Sequence, residues 1–331
     1  MPAAVGWRGV YGLELAGEDD AFAAWEAACA ATGVEVVAPG LATARGVDPD
    51  RLRTLAYTHR ASRLLGRCAP SVDTVRALVE AATVARSGTV AVRARDVRGT
   101  AGVDTRRLER ELGTALVDRG FAVDLDDPDH ELRVCCAADT CLVGWLVAES
   151  VRDYGDRRPT DRPFFQPGSM APLDARALVN LAGAGPDATI LDPMCGTGGT
   201  LIEAGLAGAR VVGADAQRKM VRGARENCRA YLDADYRLLR GDATALPLRN
   251  DAVDGVVFDA PYGRQSKIAR HTLRDLVGGA LAEANRVAPR AVVVGDRSWA
   301  ETAVDAGWTV ESTFERPVHR SLTRYVLLLR R

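Results

Sequence analysis

Residues 191–199 read LDPMCGTGG, and this stretch decides the fold of the second half of the chain. It follows the apolar run ATILD (188–192) and precedes TLIEAGLAGA, whose apolar residues have helical spacing. Gly196, Gly198 and Gly199 let the backbone turn sharply and let a ligand approach it closely. A glycine-rich turn between a strand and a helix predicts the first unit of a nucleotide-binding α/β fold.

The alternation of strand and helix patterns continues to the end of the chain. This pattern favours a parallel sheet with helices on both faces. Too few residues join the last two apolar runs for a crossover helix, so we expect the final strand to be antiparallel. The predicted strands of this seven-stranded, doubly wound sheet are ATILD (188–192), RVVGAD (210–215), YRLLRGD (236–242), DGVVFDA (254–260), AVVVGD (291–296), WTVES (308–312) and RYVLLL (324–329).

The first half of the chain has a less regular pattern, which indicates an α+β arrangement. A helix is predicted where Phe22, Trp25, Ala28 and Cys29 recur at the three- and four-residue spacing of a core-facing surface. A helical pattern is also predicted for LRTLAYTHRASRLLG (52–66). The remaining predictions are a strand in TVAVRARDV (89–97), an amphipathic helix in TRRLERELGTALVDRG (105–120) and two strands in HELRVCCAADTCLVGWLVAES (130–150).

A proline-rich segment, RRPTDRPFFQPGSMAP (157–172), separates the two halves. Its prolines stop regular structure and indicate either a linker or a docking loop. We therefore place the main domain boundary at this segment. The prolines are Pro159, Pro163, Pro167 and Pro172.

Composition and charge narrow the class of protein. The chain has 331 residues, of which 47% are hydrophobic and 26% are charged, as is usual for a folded globular protein. No stretch predicts a membrane span or a signal peptide, so we expect a cytoplasmic protein, which we take to be a monomer. The seven cysteines include no CxxC pair, and we interpret them as reduced, mostly buried thiols without a disulfide framework or a metal site.

Acidic residues stand at the ends of the first three predicted strands of the sheet. Asp192 precedes Gly196 by four residues, and its carboxylate would repel a pyrophosphate but attract the cationic tail of S-adenosylmethionine. Asp215 lies about twenty residues after the loop, where an acid accepts hydrogen bonds from ribose hydroxyls. Asp242 is a candidate acceptor for the adenine amino group, with Ala243 covering the ring. Each acid alone is equally well explained as a helix cap or a loop charge.

FDAPYG (258–263) ends the fourth predicted strand, where the sheet order should reverse and ligands bind in such folds. An exocyclic amine on a base is a poor nucleophile because its lone pair is delocalised, so its methylation needs acceptors for the N–H groups. Asp259 offers one acceptor, and a carbonyl at Ala260 or Pro261, restricted by the proline, offers another. Tyr262 is placed to stack on an extruded base. These residues predict a methyltransferase that acts on an amino group of a base.

The tetrapeptide DAPY (259–262) resembles the (D/N)PP(Y/F) motif of amino-group methyltransferases in the S-adenosylmethionine-dependent Rossmann superfamily. Ala260 stands where that family usually has proline. The whole chain more specifically resembles the archaeal tRNA guanosine-N2 dimethyltransferases that act at position 10. This resemblance implies a ferredoxin-like segment (1–65), a THUMP RNA-binding domain (66–156) and a Rossmann-like methyltransferase domain (157–331).

The same resemblance implies which residues form the site. RPFFQPGSMAPLDARALVNLAG (162–183) is similar to the segment before the family's glycine loop, and YGRQSK (262–267) is similar to the loop after its catalytic tetrapeptide. The implied catalytic residues are Asp259, Pro261 and Tyr262. The implied donor-binding residues are Phe165, Pro167, Ser169, Asp192, Cys195, Gly196, Gly198, Asp215, Asp242, Ala243 and Asp259.

The implied partner is tRNA, although the chain has a formal net charge of only −1. A local patch of arginines would therefore have to contact the phosphates. Arg93 and Arg95 alternate on a predicted strand, and Arg106, Arg107 and Arg110 lie along a predicted helix. Each of these arginines is equally well explained as part of a solvated face.

Three other functions are compatible with these motifs. One is guanosine-N2 methylation at another tRNA position or on ribosomal RNA, and another is adenine-N6 methylation of DNA. The third is a tRNA-binding module that has lost catalysis, against which the intact set of acids argues. An NAD-dependent oxidoreductase is excluded by the glycine spacing, because Leu201 stands where the dinucleotide fingerprint needs a small residue.

Overall fold

The computed structural model describes residues 9–233, 235–262, 272–319 and 322–331. The chain forms two compact units, Met1–Val151 and Arg152–Arg331. The proline-rich segment therefore belongs to the second unit. A 3₁₀ turn, Tyr154–Arg157, leads into it, and a second one, Pro159–Asp161, lies within it. Within the described ranges, no helix combines the length and the apolar composition that a membrane span requires.

The first unit is built around a mixed sheet with helices packed on it. Its strands are β1 (Tyr11–Leu15), β2 (Ala31–Thr32), β3 (Glu35–Ala38), β4 (Leu41–Ala44), β5 (Gly46–Val47), β6 (Thr58–Cys68), β7 (Thr89–Asp96), β8 (Ala122–Val123), β9 (His130–Ala137) and β10 (Thr140–Glu149). Its helices are α1 (Asp20–Ala27), α2 (Pro49–Leu52), α3 (Val72–Ala81) and α4 (Thr105–Val117).

Eight of these strands form one sheet in the order β3-β4-β1-β6-β10-β9-β7-β8. The predicted strand at 89–97, helix at 105–120 and strand pair at 130–150 are confirmed as β7, α4, β9 and β10. β6 crosses the predicted boundary between residues 65 and 66 and pairs with both β1 and β10. The sheet is therefore continuous at that boundary.

Two predictions for helices of the first unit are wrong. LRTLAYTHRASRLLG (52–66) is largely strand β6, because the middle of a sheet can bury an irregular apolar pattern that looks helical in sequence. In α1, Phe22 is buried but Trp25 is 40% exposed, and after the helix ends Ala28 is exposed and Cys29 is half-buried.

The core face of α1 instead includes Glu26, whose side chain is fully buried. Its carboxylate accepts hydrogen bonds from the backbone N–H groups of Ala56 and Tyr57 at 2.7 and 2.6 Å. A buried carboxylate is tolerated where backbone donors satisfy it. The spacing of the apolar residues predicts the wrong core face because a charged residue such as Glu26 is expected at the surface.

The cysteines are not all reduced. Cys136 on β9 and Cys141 on β10 are direct partners in the antiparallel ladder, with Cα atoms 4.1 Å apart, and they form a disulfide. A search for CxxC spacing misses this pair, because a tight hairpin brings residues five positions apart face to face. The other cysteines are free thiols: Cys29, Cys68, Cys135, Cys195 and Cys228.

The second unit alternates strands and helices. Its strands are β11 (Thr189–Asp192), β12 (Arg210–Asp215), β13 (Tyr236–Arg240), β14 (Gly255–Asp259), β15 (Arg290–Gly295), β16 (Thr309–His319) and β17 (Leu322–Arg330). Its helices are α5 (Pro172–Leu181), α6 (Gly199–Leu206), α7 (Arg218–Tyr231), α8 (Leu273–Val287) and α9 (Ala300–Asp305).

The predicted seven-stranded, doubly wound sheet is confirmed, with the order β13-β12-β11-β14-β15-β17-β16. The first five strands are parallel, and β17 is antiparallel to β15 and β16. The order reverses between β11 and β14, which is where ligands bind in open α/β sheets. Val256, Val257 and Phe258 of β14 are fully buried, as expected for a parallel strand covered on both faces.

Candidate active site

The glycine loop connects β11 to α6 at the switch point of the sheet. Gly196 and Gly198 have φ values of 50° and 80°, a left-handed backbone that favours glycine. The Gly198 N–H donates to the Cys195 carbonyl at 2.7 Å, and the Cys195 N–H donates to the Ala214 carbonyl on β12 at 2.9 Å. A Cβ added at Gly196 would meet no atom within 4 Å, so a ligand has room to approach the backbone there.

Asp192, the last residue of β11, is buried behind this loop. Its carboxylate accepts hydrogen bonds from the Thr200 hydroxyl and from the Met194 N–H, the latter at 2.9 Å. Burial, together with the charges of Asp215 and Asp259, raises the pKa of Asp192 to about 7, although the hydrogen bonds from Thr200 and Met194 lower it. Asp192 is therefore near enough to both other carboxylates for their charges to act on it, and a cation placed beside it would be stabilised.

Asp215 and Asp242 follow the next two strands. The Asp215 carboxylate accepts from the Gly196 N–H at 3.1 Å and from the Gln217 N–H at 2.8 Å, and burial raises its pKa. β13 ends two residues before Asp242, whose carboxylate accepts from the N–H and hydroxyl of Thr244. Asp242 therefore sits in a turn and not at the strand end that the sequence predicts, and Ala243 is buried in the core with Phe258.

Asp259 ends β14 and is linked to two other polar side chains. The Tyr262 hydroxyl donates to Asp259 Oδ1 at 2.7 Å, and Arg324 Nε donates to the same hydroxyl at 3.1 Å. Burial raises the pKa of Asp259 to about 6, although the charge of Arg324 and the Tyr262 hydrogen bond lower it. Asp296, just past β15, adds to the rise. Asp259 is therefore mostly ionised at neutral pH.

Ala260 continues the sheet by one residue. Its N–H donates to the Val294 carbonyl at 2.8 Å, and its side chain is buried in the core. Proline has no N–H and could not make this bond. The chain thus holds the residue after Asp259 with a hydrogen bond, where the related motif has a proline ring. Pro261 and Tyr262 follow as partly buried residues.

The segment before the glycine loop is held against it by side chains. The Ser169 hydroxyl donates to the Gln166 carbonyl at 2.8 Å and lies 3.1 Å from the Thr197 hydroxyl. Phe165 and Pro167 are exposed parts of the same segment. Of the three residues predicted to lie along the donor, Ser169 is therefore the one that the structure brings to the loop.

Asn227 on α7 is a positioning residue that the sequence analysis missed. Its fully buried side chain accepts from the Phe164 N–H at 2.8 Å and donates to the carbonyls of Phe164 and Thr197 at 2.8 and 2.9 Å. Gly223, one turn earlier, makes room for the Phe164 ring. In the sequence, a polar residue at a core-facing position of an amphipathic helix is the signal for such a set of hydrogen bonds.

A buried ion-pair cluster joins the proline-rich segment to α5 and α6. Glu203 is fully buried, and its carboxylate lies 2.6 Å from Arg157 Nε and 3.0 Å from an Nη atom of Arg176. Arg162 packs beside Gly199 at the start of α6. The proline-rich segment is therefore a docking loop and not a linker. The predicted loop YGRQSK (262–267) lies outside the described residues from Gly263 onward.

Comparisons with known proteins agree with this arrangement. Residues 159–325 match the family described as RMKL-like, methyltransferase domain, and residues 72–145 match the THUMP domain. The chain is 38% identical over 290 residues to the tRNA (guanine(10)-N2)-dimethyltransferase of Methanothermobacter thermautotrophicus, covering 84% of each chain. It is 33% identical over 258 residues to the protein of the same name from Pyrococcus abyssi, covering 73% of this chain and 74% of that one.

Several solved structures match almost the whole length of the chain. TrmN from Thermus thermophilus matches with a TM-score of 0.50 and 23% sequence identity, over 97% of this chain and 99% of that one. This likeness concerns the fold.

Proposed function

The chain belongs to the THUMP-containing family of tRNA (guanine-N2)-methyltransferases, and from this premise we propose its substrate and its site. It transfers methyl groups from S-adenosylmethionine to the exocyclic N2 of a guanosine in tRNA. The nucleotide at position 10 is the proposed target, with a first and then a second methyl group added. The observation that carries the proposal is the position of Asp192, Asp215 and Asp259, each of which is the last residue of one of three neighbouring parallel strands, β11, β12 and β14, at the switch point of the sheet.

The residues around the glycine loop fit the donor. Asp192 is a buried carboxylate with a raised pKa, and a cationic amino-acid tail would stabilise its charged form. We assign the ribose hydroxyls to Asp215, the adenine amino group to Asp242, and further contacts to Ser169, Cys195, Gly196, Gly198 and Ala243, with Phe165 and Pro167 reaching the donor from the exposed segment. When bound, S-adenosylmethionine supplies an electrophilic methyl group.

Asp259 accepts a hydrogen bond from the N2 amine and thereby localises the nitrogen lone pair. The carbonyl of Ala260 or Pro261 accepts the second N–H, and Tyr262 stacks on the extruded base. The product cation is acidic, so Asp259 receives its proton late in the reaction. The remaining rate enhancement comes from holding the amine and the methyl group in line.

The first unit is proposed to bind the tRNA. The division into a ferredoxin-like segment (1–65), a THUMP domain (66–156) and a methyltransferase domain (157–331) is retained as a proposal. We also propose that the enzyme is a monomer, and that it is cytoplasmic because its proposed substrate is tRNA.

The test is nucleoside mass spectrometry of an unmodified tRNA transcript after incubation with the protein and S-adenosylmethionine. We expect N2-methylguanosine and then N2,N2-dimethylguanosine, and fragment mapping should place both at position 10. Methylated adenosine as the product, or guanosine methylated elsewhere, would contradict the assignment of base or position. Calorimetry of donor binding separates an enzyme from a module that only binds RNA.

Asp259→Ala is the matched variant for this experiment. Loss of one preorganised hydrogen-bonding group at a reacting centre costs about a hundredfold or more in rate. We therefore expect Asp259→Ala to abolish methyl transfer while the dissociation constant of the donor changes little. Full activity of this variant would refute the role of Asp259.

A further inference from the structure

We propose that Arg324 selects guanine, by donating a hydrogen bond to O6 of the base whose N2 amine is bound by Asp259. This inference rests on the proposed function and concerns how its base is chosen. The DAPY tetrapeptide alone does not distinguish guanine N2 from adenine N6, because both are exocyclic amines beside a ring nitrogen. A second group that reads the same edge of the base is needed.

Arg324 reaches the end of β14 from β17, although β15 lies between these two strands. Its side chain is nine-tenths buried, with 9% of the residue exposed. Arg324 Nε and Asp259 Oδ1 are hydrogen-bonded to the same Tyr262 oxygen, at 3.1 and 2.7 Å. The donor and the acceptor are therefore separated by no more than two hydrogen-bond lengths.

This pair of groups matches the edge of guanine. Guanine carries its N2 donor and its O6 acceptor at opposite ends of the Watson–Crick edge, with N1–H between them. An acceptor and a donor at that spacing are what cytosine offers to guanine. Adenine bound through N6 to Asp259 would present N1 next and then a C2–H, so it has no acceptor at the far end for Arg324.

Entry of the base changes the partner of Arg324. A tyrosine ring that lies flat on the base cannot keep its hydroxyl between Asp259 and Arg324. The Nε–H of Arg324 then loses the acceptor that it has in this structure. A buried charged donor without an acceptor is unfavourable, and O6 of guanine removes that cost whereas adenine does not.

The test compares two tRNA transcripts that differ at the methylated nucleotide, one with guanosine and one with 2-aminopurine. 2-Aminopurine keeps the exocyclic amine but lacks O6 and also the proton on N1. For the wild-type protein we expect kcat/KM to be about ten- to hundredfold higher on guanosine. Arg324→Met is assayed at a pH well above the pKa of Asp259, because the charge of Arg324 lowers that pKa. There it should lose most of this factor on guanosine and nothing further on 2-aminopurine, because the interaction is already absent there.

Two further variants separate base reading from a structural role. Arg324→Lys keeps a cationic donor and should retain part of the preference for guanosine. Arg316 lies directly opposite Arg324 in the β16–β17 ladder, and its guanidinium is 3.4 Å from Asp174. Arg316→Met should leave the ratio of the two rates unchanged.

The inference is overturned if Arg324→Met slows both substrates equally, or if the wild-type protein uses both equally well. Equal slowing would indicate that Arg324 only supports the fold or orients Tyr262. Failure of the wild-type protein to methylate the guanosine transcript would instead contradict the proposed function. Donor affinity, measured by calorimetry on each variant, shows whether the methyltransferase unit is folded.

Discussion

Asp259 has a protonation state that its neighbours control. Burial raises its pKa to about 6, while the charge of Arg324 and the hydrogen bond from Tyr262 act in the opposite direction. The carboxylate is useful as an acceptor only when ionised, so activity should fall as the pH drops through this value. The pH dependence of kcat/KM reports the pKa values of groups in the free enzyme. The acid limb of that profile should therefore reflect the arrangement of Asp259 seen in this structure.

Tyr262→Phe tests this control. The substitution removes a hydrogen bond that lowers the pKa of Asp259 but keeps a ring that can stack on the base. The pKa of Asp259 should therefore rise, and the acid limb of the kcat/KM profile should move to higher pH. Tyr325→Phe, the next residue of β17 after Arg324, is the control and should leave the profile in place. An unchanged profile for Tyr262→Phe would show that another group titrates.

Ala260→Pro would restore the motif of the related enzymes. It removes the hydrogen bond from the Ala260 N–H to Val294 and puts a larger ring into a packed core. We expect the free energy of unfolding to fall by about 1–3 kcal/mol and kcat not to rise. Ala171→Pro is the control, because its side chain is exposed and its φ of −64° suits proline. Chemical denaturation measures both, and a more stable, faster Ala260→Pro enzyme would contradict the argument.

Sequence reasoning predicted the positions of acids more successfully than their contacts. Asp192, Asp215 and Asp259 follow short apolar runs, and the carboxyl ends of parallel strands meet at one edge of the sheet. Arg324 was missed because its contact with Tyr262 depends on the order of strands. An arginine at the start of the apolar run RYVLLL is the signal that the sequence contains. The proposed roles of these residues remain predictions.

Whole elements were predicted well where a regular alternation of strand and helix limits the arrangement. The seven strands of the second unit and the antiparallel direction of β17 followed from run lengths and loop lengths. β6 was missed because 52–66 has no strict two-residue alternation, and its strand conformation depends on β1 and β10 on either side. Tertiary pairing decides such segments.

Helix α7 should act on donor binding through Gly223. A Cβ added there would lie 2.0 Å from the Phe164 ring, so Gly223→Ala must push the 162–183 segment away from Asn227 and the glycine loop. We expect weaker donor binding, measured by calorimetry. Gly278→Ala in α8 is the control, since its Cβ would meet Thr302 at an ordinary 3.5 Å. Equal donor affinity in both variants would show that the segment is not part of the donor site.

At the scale of the whole molecule, the proposed RNA-binding residues and the proposed donor site belong to different units. Arg106 and Arg110 are exposed on α4 of the first unit, whereas Arg107 is paired with Glu111 at 2.7 Å. Replacing Arg106 and Arg110 by alanine should raise KM for tRNA without changing donor affinity. A plot of log affinity for tRNA against log salt concentration has a negative slope. The steepness of this slope should decrease by up to about two, one for each lost phosphate contact.

Arg107→Ala is the comparison for this prediction. Its guanidinium already has a carboxylate partner, so a smaller change in salt dependence is expected. If the double variant binds tRNA with the wild-type salt slope, α4 is part of a solvated face and the phosphates are contacted elsewhere.

The buried Glu203 determines where this protein can be cut or fused. Of its arginine partners, Arg157 is the first residue of the proline-rich segment and Arg176 follows the segment on α5. The sequence of this segment is typical of a junction between domains. A gene fusion that joins an RNA-binding domain of another protein at Pro163 would delete Arg157. The buried carboxylate of Glu203 would then lose one of its positively charged partners, which is strongly destabilising. Natural or engineered recombination should therefore replace the RNA-binding domain at a point before Arg152. The docking loop then stays on the same chain as the methyltransferase sheet that it packs against.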